Sequence, residues 1–235
     1  MERLRQMLRE DREKLRGERP SQVALYIWDY YRIPIMALLA VLAIGGYLLF
    51  LQLTVPKENW FYACFANTYA DYGRGSNFYV GFADYAGYDL KEKNLVVNCT
   101  IYCNPSKRTM GNRYYDSLVT LMDAGALDVV VMGREDIEAL GRAGRLLDLS
   151  SEHGQGLAER WADRLTSVVP EDTENYGSKP LPVAIDLDGS RVVGDYAAYA
   201  GDAWLGVNAE STHVDQVEVF LQYLFDTGSH DDKER

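Results

Sequence analysis

Leu127-Asp128-Val129-Val130-Val131-Met132 runs directly into Gly133-Arg134-Glu135-Asp136-Ile137-Glu138-Ala139-Leu140. The first run stays apolar without alternation after its aspartate, the pattern of a strand covered on both faces. The second puts Ile137 and Leu140 on one face of a short helix, expected over Arg134 to Ala143. A strand buried on both sides needs a layer on each side, so this junction predicts an α/β lobe.

The alternation extends upstream. Residues 59–67, NWFYACFAN, read as an aromatic strand, and Leu95 to Cys103 as another. Between them, Asn77 to Leu90 carries Phe78, Phe82 and Tyr85 at helical spacing. Asn112 to Asp123 sets Tyr115, Leu118, Val119 and Met122 on one helical face, and Gly125 closes that helix. The order βαβαβα implies a parallel sheet with helices packed on it. Aromatics crowd positions 60 to 88. Their helical spacing reads as core, with stacking on sugar or peptide as the sharper alternative.

Downstream the pattern changes. VAIDLDGSRVV (183–193) reads as a hairpin about an Asp188-Gly189 turn. Ala203 to Val207 reads as a further strand. Thr212, with Asp215 three residues on, reads as a capping box for a last helix that buries Val214, Val217, Phe220, Leu221 and Leu224. Residues 151–181 show little beyond one helix around Trp161.

Ile33 to Leu53, IPIMALLAVLAIGGYLLFLQL, carries no charge and matches the ~20 apolar residues that cross a bilayer as a helix. It begins far from the N-terminus, and no Ala-x-Ala-like site follows, which argues for a signal-anchor over a cleaved signal peptide. Eight basic residues precede it, Arg3 to Arg32, while only Lys57 and Arg74 follow closely. This bias places the N-terminus in the cytoplasm and the tail outside. Tyr26, Trp28, Tyr30 and Tyr31 on one side, and Trp60, Phe61 and Tyr62 on the other, read as interfacial belts. The expected organisation is a basic cytoplasmic head (1–32), a transmembrane helix (33–53), an extracytoplasmic α/β lobe (56–228) and a frayed tail (229–235).

The chain of 235 residues holds 24 basic and 35 acidic side chains, a net charge of −11. Eight basic and six acidic residues lie before the span, so the acidic excess belongs to the lobe. Such a surface argues against nucleic acid as a partner. Cys64, Cys99 and Cys103 give an odd count, with no metal-ligand spacing around them or the three histidines. In a strand Cys99 and Cys103 would sit about 13 Å apart, too far to bridge. Cys64 could pair with either, and the pairing stays open. Asn98-Cys99-Thr100 fits a glycosylation acceptor only formally.

The run ALDVVVMGREDIEALGRAGRLLDLSS (126–151) resembles part of an extracellular solute-binding protein of the ABC-transporter type. Leu127-Asp128-Val129-Val130, Leu140, Gly144 and Leu147-Asp148-Leu149-Ser150 carry the likeness. It implies a three-layer α/β lobe like the first lobe of a periplasmic-binding-protein-like fold. Two such lobes would not fit in this tail, so a single lobe is expected. Tyr26 to Pro34 (YIWDYYRIP) further resembles membrane-anchored proteins of Gram-positive bacteria.

Open α/β sheets bind ligands beyond the carboxyl ends of their strands. That rule singles out Asn67 after the first strand, Asn104 after the second, and Gly133, Arg134 and Glu135 after the third. A competing motif is Asp186-Leu187-Asp188-Gly189-Ser190, similar to the nucleophile motif of haloacid-dehalogenase-type phosphatases. There one aspartate would attack phosphorus and the other act as general acid, with Mg²⁺ bound. Only about forty-five residues follow, too few for the rest of such a site, and an Asp-Gly turn explains the same letters. The expectation is therefore a non-catalytic lobe with no cofactor or metal. Its partner would be a small solute or a membrane protein, and the chain would serve recognition or an accessory role in a membrane complex.

Overall fold

A computed structural model describes residues 20–54, 58–107, 112–194, 196, 198–199 and 202–226. The expected basic head before Pro20 and the frayed tail lie outside these residues. The chain divides into two units, Met1–Val55 and Pro56–Arg235.

The first unit holds helix α1, Pro20–Thr54, which opens on a proline and carries Pro34 inside it. Proline suits a first helical position because its missing N–H is one that would lack a partner there anyway. Within α1, Arg32–Leu53 gives 22 residues long and apolar enough to cross a membrane. Leu38, Leu42, Leu48 and Phe50 are each about 60% exposed.

The second unit is built on one six-stranded open sheet, ordered β2-β1-β3-β6-β5-β4. In chain order its elements are β1 (Glu58–Phe65), α2 (Asn77–Tyr85), β2 (Lys93–Asn98), α3 (Arg113–Asp123), β3 (Val129–Met132), α4 (Arg134–Arg142), α5 (Gln155–Arg160), β4 (Leu165–Val168), α6 (Thr173–Tyr176), β5 (Leu181–Asp186), β6 (Trp204–Val207) and α7 (Val214–Phe225). The first half is parallel as expected, with β1 between β2 and β3. The second half is antiparallel: β6 pairs β3, β5 pairs β6, and β4 pairs β5. The sheet is thus mixed: the parallel part expected from the βαβαβα order continues into an antiparallel half.

Strand alternation sorts side chains into two cores. Phe61, Ala63 and Phe65 of β1, with Val129 and Val131 of β3, join Phe78 and Phe82 of α2 and Phe220 and Leu221 of α7. Cys64, Val130 and Met132 point the other way, against Leu118 and Met122 of α3 and Ile137 and Leu140 of α4. The result is three layers. Rings dominate the first core: the Phe220 centroid lies 5.0 Å from Phe61 and 4.9 Å from Phe82. Such inclined pairs match the ring quadrupole. Most of the aromatics at 60–88 are therefore core.

Several local expectations change. Phe61 is fully buried and Trp60 stacks on Tyr88, so the residues expected as an outer interfacial belt belong to β1. No hairpin spans 183–193. After the Gly189 turn, at φ +75, Val192 drops into the core and the Arg191 N–H donates to Leu224 O, leaving no ladder for a second strand. The partners of β5 are instead β6 and β4, the latter in the stretch that showed little pattern. Thr212 does not cap α7. His213 holds that position, and its N–H donates to Ser211 Oγ. All three cysteines are free, and Cys64 and Cys103 share one core while Cys99 packs against the other. Burial pushes the Cys103 thiol up to about 12 and Cys64 still higher.

Candidate functional site

The five residues singled out beyond the strand ends do lie along the carboxyl edge of the parallel half. Phe65 pairs with Val131, so Asn67 and Gly133 each stand two residues past the same rung. What they do there is structural in each case that hydrogen bonds define.

Asn67 has φ +59, the left-handed region that asparagine tolerates better than most side chains. Its amide closes a ring with Cys103: Nδ2 donates to Cys103 O at 2.6 Å, and Oδ1 accepts from Cys103 N–H at 2.9 Å. Its own N–H donates to Ile101 O. Asn67 thereby carries the sheet's hydrogen bonding past the end of β2. Asn67→Ala should lower stability by about 2–3 kcal/mol, from two lost hydrogen bonds and left-handed strain. Asn67→Gly should lose less, since only the bonds go. Urea denaturation of the two variants checks this, and equal losses would discard the strain component.

Asn104 is exposed and its carbonyl accepts from Lys107 N–H. Glu135 is exposed in the first turn of α4. The neighbouring Asp136 is the buried one. Its Oδ1 accepts from Ser106 N–H at 3.0 Å and Ser106 Oγ at 2.6 Å, tying the loop after β2 to α4.

Gly133 caps α4, where free backbone N–H groups and the helix dipole favour an anion. The chain supplies that anion itself. Asp202 Oδ2 accepts from Arg134 N–H at 3.3 Å, and Asp202 Oδ1 accepts from Trp204 Nε1–H at 3.0 Å. The Arg134 guanidinium lies 5.2 Å above the Trp204 ring and donates from Nε to Glu138 at 2.8 Å. Glu138 raises the Arg134 pKa most, with Asp202 and Asp186 adding to it.

The switch point is the crevice between β1 and β3, since the chain leaves β1 to one side for β2 and returns to the other for β3. Here Tyr199, 8% exposed, donates its hydroxyl to Ala66 O at 2.7 Å and Val131 O at 2.9 Å. Thr68 Oγ1 donates to Ala198 O alongside. Burial drives the Tyr199 pKa well above its ordinary value, with Cys64 adding to the shift, so the phenol remains a donor. The connection between β5 and β6 thus occupies the position where open sheets of this kind take a ligand.

Tyr199, Asp202, Trp204 and Asp136 are the residues that sequence reasoning missed. The first three lie in or beside a connection without periodicity. Among the described residues no group of three His, Cys, Asp or Glu side chains is placed to hold a metal. The motif at 186–190 forms a local turn in which Asp186 Oδ1 accepts from Asp188 N–H at 2.9 Å. Arg164 donates to Asp188 O.

The chain matches no known protein family, no curated protein and no solved structure.

Proposed function

We propose that this chain is a single-pass membrane protein whose acidic lobe, outside the membrane, recognises a partner through its surface and carries out no chemistry. The observation that supports this reading is the self-occupied crevice. Tyr199 and Asp202 fill the two places, switch point and helix N-terminus, where a small solute would bind. A lobe resembling half of a solute-binding protein then keeps the scaffold without an open cleft, and its outer surface is left for contact. The stretch Arg32–Leu53 of α1, long and apolar enough to cross a membrane, supports the anchor, because a helix apolar all round suits lipid better than water. The basic excess before it supports the orientation. An accessory subunit of a membrane complex is one form of the same reading. The Asp186–Ser190 turn satisfies its own backbone, so a Mg²⁺-dependent phosphatase is the weaker alternative.

Protease added to intact cells should remove the lobe and spare the helix with the segment before it. Protection of the lobe would overturn the orientation. A thermal-shift screen of the full chain in detergent, against free sugars and amino acids, should give no stabilisation. A saturable shift with one such solute would restore a solute-binding role.

A further inference from the structure

Between Arg32 and Gln52, helix α1 carries one polar side chain, Tyr47. Six residues separate it from Leu53, the C-terminal end of the stretch fit to span a membrane. At ~1.5 Å per residue, Tyr47 sits about 9 Å inside the hydrocarbon when α1 spans a bilayer. Tyrosine suits the interface, where its hydroxyl meets water. Here the helix works against that. A Cα–Cβ bond in an α-helix tilts toward the N-terminus, so a ring at position 47 lies over the preceding turn and carries its hydroxyl toward the bilayer centre. Among the described residues none hydrogen-bonds that hydroxyl. Lipid chains offer it no partner, and an unpaired hydroxyl among them is costly.

Tyr47 also belongs to a seam. Met36, Ala40, Ala43, Tyr47 and Phe50 follow steps of four, three, four and three residues, the spacing that keeps one helix face turned toward a parallel partner. Met36, Tyr47 and Phe50 are 58%, 62% and 61% exposed, and both alanines are exposed. The order of sizes suits close packing. A ring at position 47 leans toward Ala43, and Ala40 stands one turn further back, so methyl groups leave room for a second ring. Small residues at such positions let helices approach closely in lipid, whereas a face of leucines gains little by pairing because lipid is as apolar.

Resting on the membrane-anchor reading above, we propose that two copies of this chain pair in the bilayer through this seam, as a parallel helix dimer with Tyr47 against Tyr47. The hydroxyl selects the occupant. It can both donate and accept a hydrogen bond, so two of them satisfy one another, one donating and the other accepting. Copies of a single-pass chain share one orientation, and across a two-fold axis equivalent residues meet at the same depth. A second copy therefore brings the required group to the required depth by symmetry. An unrelated span would need a polar residue of its own at that depth. The seven-residue period sets the hand: such a seam stays in contact when the helices wind left-handedly, crossing at about 20°. Gly45 lies on the opposite side of the helix and takes no part.

The test is sedimentation equilibrium of the full chain in density-matched detergent micelles, which reports protein mass alone. A reversible dimer of the 26.6 kDa chain is expected. Tyr47→Phe keeps the ring and removes the hydroxyl, and should weaken the dimer about threefold, the scale of a hydrogen bond between helices in a membrane. Ala43→Leu places bulk where the rings approach and should weaken it about tenfold. Gly45→Leu, on the opposite side, should leave it unchanged. All three variants stay apolar enough to insert, and the melting temperature of the lobe should match the parent chain in each. A monomer at every concentration overturns the proposal. So does a dimer indifferent to both Tyr47→Phe and Ala43→Leu, or one broken by Gly45→Leu. Failure of the anchor reading would show separately: alkaline carbonate would then strip the chain from the membranes of cells that express it. A monomer that resists carbonate extraction overturns the pairing and leaves the anchor standing.

Discussion

Asp128→Ala is expected to remove about 3–5 kcal/mol from the stability of the lobe, because three donors lose the buried carboxylate that accepts from them. The carboxylate side chain is 3% exposed. Its Oδ2 accepts from Tyr62 N–H at 2.8 Å, and Oδ1 from Ser211 Oγ at 2.7 Å and His213 Nδ1 at 3.0 Å. Its backbone N–H donates to Tyr62 O, and its carbonyl accepts from Asn208 N–H. One residue thus joins β1, the start of β3, the end of β6 and the entry to α7. Alanine would leave the half-buried Tyr62 N–H without its acceptor, and each such group costs about 1–3 kcal/mol when shut off from water. Asp128→Asn keeps one acceptor oxygen but aims an amine at donors, so an intermediate loss is expected. Guanidinium denaturation at neutral pH measures both. An alanine variant within 0.5 kcal/mol of the parent, the usual range of a neutral surface change, would show that this cluster is not a joint of the fold.

Tyr199→Ala carries the second large effect, about 3–5 kcal/mol, as for other buried aromatics truncated to alanine. The ring fills the crevice between β1 and β3, and the hydroxyl serves two carbonyls there. Tyr199→Phe separates the two contributions: it keeps the ring and should lose only about 1 kcal/mol. Ala66 O then loses a donor, while Val131 O keeps its bond from Ala66 N–H at 2.9 Å. A cavity of this kind accepts small aromatic guests. Phenol should therefore raise the melting temperature of the alanine variant and leave the parent unchanged. An alanine variant as stable as the parent would mean that Tyr199 does not close the switch point.

The parallel half of the sheet was legible because its signals are local. Apolar runs at 59–67 and 127–132, helical spacing of Phe78 and Phe82, and Gly125 at φ +62 after α3 each act within a few residues. In the antiparallel half the runs that became β5, β6 and α7 were legible as elements, but β4 and the strand order were not, because those signals are pairings. β4 is only Leu165–Val168, and its alternation is too short to stand out. Asp188-Gly189 does turn the chain, yet a turn forms a hairpin only if the next residues find a strand. Here Arg191 finds Leu224 instead. The edge that carries the candidate site followed from topology alone. Its occupant did not, since no periodicity marks Tyr199 or Asp202. Their roles exist only once β6 is inserted beside β3.

That insertion has a consequence for biosynthesis. β6 is made after β5, yet it lies between β3 and β5, and α7 after it supplies Phe220 to the rings of β1 and α2. The first core stays incomplete until α7 has left the ribosome. At ~5–20 residues per second, about 8 to 32 seconds separate synthesis of α1 from that of α7. Until then the apolar face of β1 and α2 lacks the cover that Phe220 and Leu221 of α7 give it. The lobe is thus a late folder tied to an early-made helix, and holdase chaperones at its site of synthesis have a defined window in which to act.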